Sequence, residues 1–416
     1  MKFPDKPGPL DRLFQRIGIA CAVAGFALAI TWTLRIGLAD IYYQQYTLVS
    51  IEKAARLTPS RADYPEQIAW FLRDTEEQRA VQALERAVAL NPYDANAWIQ
   101  LGLIDEANDR LPEASRCLHH AASIDHTFLP AWSLANFYFR QNNPDQFWLW
   151  VHQASRIVPE DASPLFRLCW HYTEDGAMIE RQLDLGRPDM QAQYINFLVS
   201  DNRATAVGSV ALRLAAADRG QDTPLLLNAC DWLLAQHQET AALGLWDRLA
   251  DQQRIPFHAV HPGNRPTVTN ANFVHSPSSI GFDWHLPTVP GVNASQENGA
   301  GGLKLEFSSD QPESVEVLSQ VLAVQPNIAY NFTFDYSTSG IAPGSGLTWR
   351  VVNIATGSVL ASTGSLSANN GAVGHLDFSA PADTRFVRLS LVYQRALGTT
   401  RIEGSLVLHK TALATT

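Results

Sequence analysis

The sequence predicts a multidomain α and β chain: a single transmembrane helix, an all-α solenoid of repeats, and a C-terminal all-β sandwich. Three observations predict it. Ile17–Leu34 reads IGIACAVAGFALAITWTL, a run without a single charge. Small and apolar residues then recur about every 34 positions, as Trp98 and Trp132 do. Beyond Asn270 the apolar period falls to 2, and Gly, Pro, Ser and Asn clusters separate short runs.

Composition sets the frame. At 416 residues the chain has room for two or three domains of roughly 150 residues each. Hydrophobic content of 46% against 17% charged residues is that of a folded protein. A net charge of -10 argues against a nucleic-acid partner, which needs a basic face. The 4 cysteines are too scattered for a disulfide framework, and Cys117, Cys169 and Cys230 fall in helical patterns as small hydrophobes.

The N-terminus reads as an anchor. Residues 1–16 form a polar segment with Lys2, Lys6, Arg12 and Arg16. Residues 17–35 contain the apolar run, and roughly 17–25 such residues span a bilayer as a helix. A cleaved signal peptide is the rival. It needs an apolar region of about 7–15 residues and a small-residue cleavage site, whereas this run is longer and ends at Arg35. Basic residues before the run place the N-terminus in the cytoplasm. The bulk of the chain is then periplasmic or extracytoplasmic, single-pass in a bacterial inner membrane. Ile36–Leu57 continues as an amphipathic helix to Thr58-Pro59, so the anchor is expected to enter the repeats with little hinge.

Residues 36–254 are the helical repeats. In the first full unit Tyr64 precedes Ala80, Leu84, Ala87 and Pro92. In the second, Trp98, Leu101 and Gly102 precede Ala114, Leu118 and Ala121, with His126 closing it. The third begins at Trp132 and closes at Pro159, and Trp148 occupies the position of Ala80 and Ala114. Residues 163–251 keep helical periodicity in degenerate form, giving about five or six helix pairs. This pattern resembles the tetratricopeptide repeat (TPR). The resemblance implies a groove built from first helices that holds a peptide or a partner helix. Its inward positions match Asn96, Ile99, Leu103 and Glu106 in the second unit, and Ser133, Phe137 and Arg140 in the third.

Residues 255–269, rich in Pro, Asn and Gly, read as a linker, 270–411 as the sandwich and 412–416 as a tail. The clearest strands are Leu303–Phe307, Glu316–Leu322, Tyr330–Tyr336, Leu347–Asn353, Phe386–Tyr393 and Arg401–His409. Asn272-Phe273, Gly281-Phe282-Asp283-Trp284 and the pair VEVLSQVLAVQP and AYNFTFDYST resemble jelly-roll carbohydrate-binding modules with a galactose-binding-domain-like fold. Alternation leaves Asp335, Arg350 and Arg388 outside the core. If their strands are neighbours in one sheet, these three line a polar groove able to hydrogen-bond sugar hydroxyls. Trp284, if exposed, stacks on a sugar face.

No G-x-S-x-G, H-E-x-x-H or P-loop is present. His258 and His261, and the adjacent His119 and His120, lack the further ligands a zinc site needs. No cofactor is expected, though a structural calcium in the sandwich is compatible with the resemblance. The expected function is that of a membrane-anchored, non-enzymatic scaffold in cell-envelope or exopolysaccharide biogenesis. The solenoid binds protein, the sandwich glycan, and residues 17–35 the lipid bilayer. A purely structural docking factor and a diverged glycan-active enzyme are the alternatives.

Overall fold

The computed structural model describes residues 9–157, 160–260, 268–297, 301–368 and 370–416, with side chains from Arg16 onward. Residues 1–8, Pro159, His261 and the centre of the 255–269 segment lie outside the described residues. The chain divides into two compact units, residues 1–159 with 182–184 and residues 160–181 with 185–416. The division falls within the helices rather than at the composition change after residue 254.

The first unit holds α1 (Pro9–Gln44), α2 (Leu48–Leu57), α3 (Asp63–Leu72), α4 (Glu77–Leu90), α5 (Ala95–Ala107), α6 (Leu111–Ile124), α7 (Phe128–Arg140) and α8 (Pro144–Ser155). Consecutive helices pack as hairpins, α1 with α2, α3 with α4, α5 with α6 and α7 with α8. Small residues set the approach: a Cβ added to Gly102 would meet Leu118 Cγ at 2.8 Å. The turns inside the hairpins are closed by a residue in the left-handed conformation, such as Asp109 at φ 58 and Asn142 at φ 50.

Two sequence expectations change here. The amphipathic helix expected over Ile36–Leu57 is broken. α1 ends at Gln44, Tyr46 takes a positive φ of 48, and Thr47 caps α2 by accepting from Ser50 N. The far end of α1 is therefore the first helix of a hairpin, with Ala39, Tyr42 and Tyr43 packed on Ile51, Ala54 and Tyr64. In the α7–α8 hairpin α8 buries Phe147, Trp148, Val151, Ala154 and Ser155, and the fully buried apolar set Phe147, Val151 and Ala154 repeats the spacing of Ala80, Leu84 and Ala87, one position before the expected register. Phe147, not Trp148, thus stands where Ala80 and Ala114 stand.

The second unit holds α9 (Ser163–Tyr172), α10 (Gly176–Gln182), α11 (Pro188–Ser200), α12 (Ala204–Ala216), α13 (Thr223–Ala235) and α14 (Glu239–Asp251). α11 pairs with α12 and α13 with α14, while α9 packs on α11. Nine strands follow among the described residues: β1 (Val292–Gln296), β2 (Leu303–Ser308), β3 (Ser314–Ala323), β4 (Ala329–Ser339), β5 (Leu347–Asn353), β6 (Val359–Ser362), β7 (Ala372–Ser379), β8 (Phe386–Gln394) and β9 (Glu403–Thr415). They form two antiparallel sheets, ordered β1-β2-β9-β4-β7 and β3-β8-β5-β6. From β2 to β9 the chain changes sheet at every connection except β5 to β6, which is jelly-roll order.

The sandwich buries Phe332, Phe334, Trp349, Leu389 and Leu406 in one continuous cluster. β1, β6 and β7, absent from the sequence reading, are edge strands that bury little. Residues 412–415, read as a tail, complete β9, and Leu413 pairs with Phe332. The described flanks of the 255–269 segment are packed. Ile255, Val260 and Val268 are buried, Phe257 stacks on Trp246 with centroids 5.6 Å apart, and Gln320 Nε2 donates to Thr269 O at 2.9 Å.

Candidate functional site

The second unit contains a cleft of about 390 Å³, a volume suited to a small ligand. Its walls come from the end of α13, the α13–α14 turn, the loop before β1, and the outer faces of β3 and β8. Alternation along β8 puts Val387, Leu389 and Leu391 into the core and leaves Arg388 and Ser390 on the outer face. Arg388 Nη1 donates to Glu316 Oε1 at 3.4 Å, and Ser390 Oγ donates to Glu316 Oε2 at 2.5 Å. These contacts orient one cation and one anion at the sheet surface.

The facing wall is held just as closely. Gly281 has a φ of +60, and a Cβ there would meet the Trp246 ring at 2.6 Å, so only glycine lets this loop lie against α14. Gly281 N donates to Asp231 Oδ1 at 3.3 Å, and the His285 Nε2–H donates to Gly281 O at 2.9 Å. His285 is further fixed by reciprocal backbone hydrogen bonds with Ser319 of β3, at 2.7 and 2.9 Å. His237, left-handed at φ 56, and Glu239 close the rim. The cleft therefore presents a guanidinium, carboxylates and imidazoles over an apolar floor that includes Leu286 and Pro287. Such groups recognise hydroxyls and a single charge. Among the described residues no Trp, Tyr or Phe lines the cleft.

The residues expected to bind sugar are not all brought together. Arg350 and Arg388 share the outer face of one sheet, since Arg350 opposes Ser390 and Val352 opposes Arg388. Arg350 donates to Gln394 Oε1 at 2.6 Å instead of lining the cleft. Asp335 lies on β4, in the other sheet, so the three-residue groove does not form. Trp284 is fully buried, stacked on Phe273 at 5.4 Å and beside Trp349 at 6.0 Å, with no face for a sugar ring. It is a core residue because its loop pairs with β3 and folds the ring inward.

The expected protein-binding residues also divide. Ile99, Ser133 and Phe137 are buried between helices and offer no contact surface. Asn96, Leu103 and Arg140 are exposed. Glu106 reaches the surface through Arg140, whose Nε and Nη2 donate to its two carboxylate oxygens at 2.7 and 2.6 Å. That fork joins equivalent positions of adjacent repeats. Asp231, His237, Glu239 and His285 carried no sequence signal, because only the packing of α13 and α14 brings them to the sheet. Among the described residues no group of three or more His, Cys, Asp or Glu is placed to hold a metal ion.

No protein-family model matches the sequence, and no curated protein sequence matches it. Among solved structures the chain is similar to MamA, at 18% identity over 36% of this chain and 95% of that one, with a TM-score of 0.27. It is similar to YrrB, described as a TPR protein with an unusual peptide-binding site, at 15% identity over 50% of this chain and 94% of that one, with a TM-score of 0.26. A CBM4 structure is similar at 10% identity over 36% of this chain and 100% of that one, with a TM-score of 0.29. The hairpin packing and the strand order by themselves make the chain a helical-repeat solenoid with a C-terminal jelly-roll sandwich.

Proposed function

We propose that the protein is a single-pass, non-enzymatic scaffold of a bacterial inner membrane, with its N-terminus cytoplasmic and its repeats and sandwich extracytoplasmic. The observation that carries this reading is α1. Its residues Arg16–Gln44 form a 29-residue helix, and its most apolar 18-residue stretch has a mean hydropathy of 2.0 and packs against nothing in the protein. Burying roughly 20 such residues in hydrocarbon is the ordinary fate of such a helix. The repeats bind a protein partner through the exposed first-helix positions at Asn96, Leu103 and Arg140. The sandwich and α13 together form a small polar site at Arg388, Glu316, His285 and Asp231, whose chemistry fits a hydroxyl-rich ligand such as an envelope or exported polysaccharide. No cofactor takes part.

The burial of Trp284 favours a second reading, in which the sandwich docks a protein and binds no glycan, because the aromatic platform expected for sugar is absent. The two separate on the full chain, held in detergent and applied to a glycan array of bacterial surface polysaccharides. Binding that drops at least tenfold in Arg388→Ala places the ligand in the cleft. A folded chain that binds no glycan leaves the docking reading.

A further inference from the structure

We infer that the loops on one side of the first two full repeats rest in the headgroup region of the bilayer, with Leu90 and Tyr93 inserted as interfacial anchors. The inference rests on α1 spanning the membrane and extends it to a surface of the repeats. α1 continues as one unbroken helix past Arg35 to Gln44, and its last three turns form the first hairpin with α2. At 1.5 Å per residue the part beyond Arg35 rises only about 14 Å. α2 then descends by about the same length and ends at Leu57, back at the level where the apolar run stops.

Side-chain contacts fix that level. Arg61, in the loop after α2, donates to Asp40 Oδ1 at 2.8 Å, about 8 Å beyond Arg35 along α1. α3 rises again and α4 descends. Arg86 Nη2 donates to Pro59 O at 3.4 Å, so Arg86 stands level with the first loop. α4 continues for another turn to Leu90, about 6 Å further toward the membrane side. Beyond it lies the Asn91–Asp94 turn, shaped by Tyr93 N donating to Asn91 Oδ1 at 3.2 Å.

The residues at this edge suit an interface. Tyr93 is 80% exposed and Leu90 38% exposed, at the tip of the loop. Tyrosine is enriched where bilayer meets water, since its ring is apolar and its hydroxyl wet. Arg56, in the last turn of α2, and Arg86, in the second half of α4, are exposed toward the same end of their helices, and guanidinium groups there suit lipid phosphates. At the opposite ends of the hairpins the α3–α4 turn carries Arg73, Asp74, Thr75 and Glu76, all exposed, while the α1–α2 turn exposes Tyr46 against Trp70.

Depth measurement tests this on the full chain in vesicles of phosphatidylcholine and phosphatidylglycerol. Cys169 and Cys230 are buried, and Cys117→Ser removes the half-buried thiol. A spin label is placed on native Cys21, or, with Cys21→Ser, on Ala89→Cys beside Leu90 or on Thr75→Cys at the far turn. Collisions with dissolved oxygen and with a water-soluble nickel complex report depth. The expected result is a label at 21 deep in hydrocarbon, a label at 75 in water, and a label at 89 with an oxygen-to-nickel ratio several-fold above that at 75. Leu90→Ser with Tyr93→Ser should return the 89 label to the value at 75. A label at 89 as wet as that at 75, with 21 deep, overturns the inference and leaves the anchor standing. A label at 21 in water overturns both. A ratio at 89 that is high but unchanged by the double substitution removes Leu90 and Tyr93 from the contact and overturns the inference as stated.

Discussion

The helical repeats of the first unit and the sandwich of the second bury their apolar residues in opposite ways. The repeats hold separate small clusters, each shared between neighbouring hairpins: one around Ile51 and Tyr64, one around Leu84 and Leu101, one around Leu118 and Leu134. The sandwich holds a single cluster that joins residues from Val268 to Leu413. Damage in a repeat is therefore expected to stay local, while damage in the sandwich reaches the whole of it.

The largest test strikes the sandwich centre. Trp349 is fully buried and touches the rings of Phe332, Phe334 and Trp284 at centroid distances of 5.3, 5.8 and 6.0 Å. Trp349→Ala should cost about 3–5 kcal/mol and abolish the cooperative unfolding of the sandwich, read by near-ultraviolet circular dichroism. Gly374→Val probes an edge of the same core. A Cβ at Gly374 would run into the Phe334 ring, so the β4–β7 pairing should open, seen as faster amide exchange across Ala372–Ser379.

In the repeats, Leu118→Ala should cost roughly 2–5 kcal/mol, yet the gain in amide exchange should be confined to α5, α6 and α7. An exchange map spread evenly over the first unit would break the contrast. A smaller effect is expected from Arg140→Ala, which removes the fork to Glu106 between adjacent repeats. It should cost about 1 kcal/mol or less, because Arg140 is half in water.

The smallest effects are those of pH. Burial holds the His119 imidazole below its usual range, beside Tyr138 Oη at 2.8 Å and the Trp150 ring. A histidine with a lowered folded pKa binds its proton more readily in the unfolded chain. Stability is thus full above the unfolded value of about 6.5 and is lost as pH falls below it. Melting of the first unit should drop between pH 7.5 and 5, and His119→Gln should flatten part of that slope. Glu66 behaves in the opposite sense. Burial, then Asp94 and Asp63, raises its carboxyl pKa, so the folded chain holds the proton more tightly and loses stability as pH rises through that value. Glu66→Gln should raise the melting temperature slightly at pH 7.

Periodicity made the long elements legible. The strands that face the core, such as Tyr330–Tyr336 and Leu347–Asn353, alternate because one side of each is buried. β1, β6 and β7 give little signal because they bury few side chains, unlike β3, an edge strand with seven of its ten residues buried. The 34-residue spacing points to Trp148 rather than Phe147 because the two are adjacent and both apolar, and packing buries both while giving Phe147 the position of Ala80 and Ala114. The site was much less legible. Alternation placed Arg350, Arg388 and Asp335 outside the core, but it cannot say which sheet a strand joins. Nor could it bring Asp231 or His237 to β8, since α13 and β8 are far apart in sequence and meet only through the loop at Gly281.

β9 carries a consequence for synthesis. It is the last of the sandwich's described strands in chain order, yet it lies between β2 and β4, at the middle of its sheet. Until Glu403–Thr415 has left the ribosome, β2 and β4 have no strand between them, and the sandwich cannot close. The hairpins of the first unit, whose partners are adjacent in sequence, can form while translation continues. A nascent chain would then carry folded repeats and an open, unpaired sheet for most of the time its second half is being made. Termination before β9 is made should yield a protein with intact hairpins and exposed strand edges, the form that cellular proteases and chaperones recognise first.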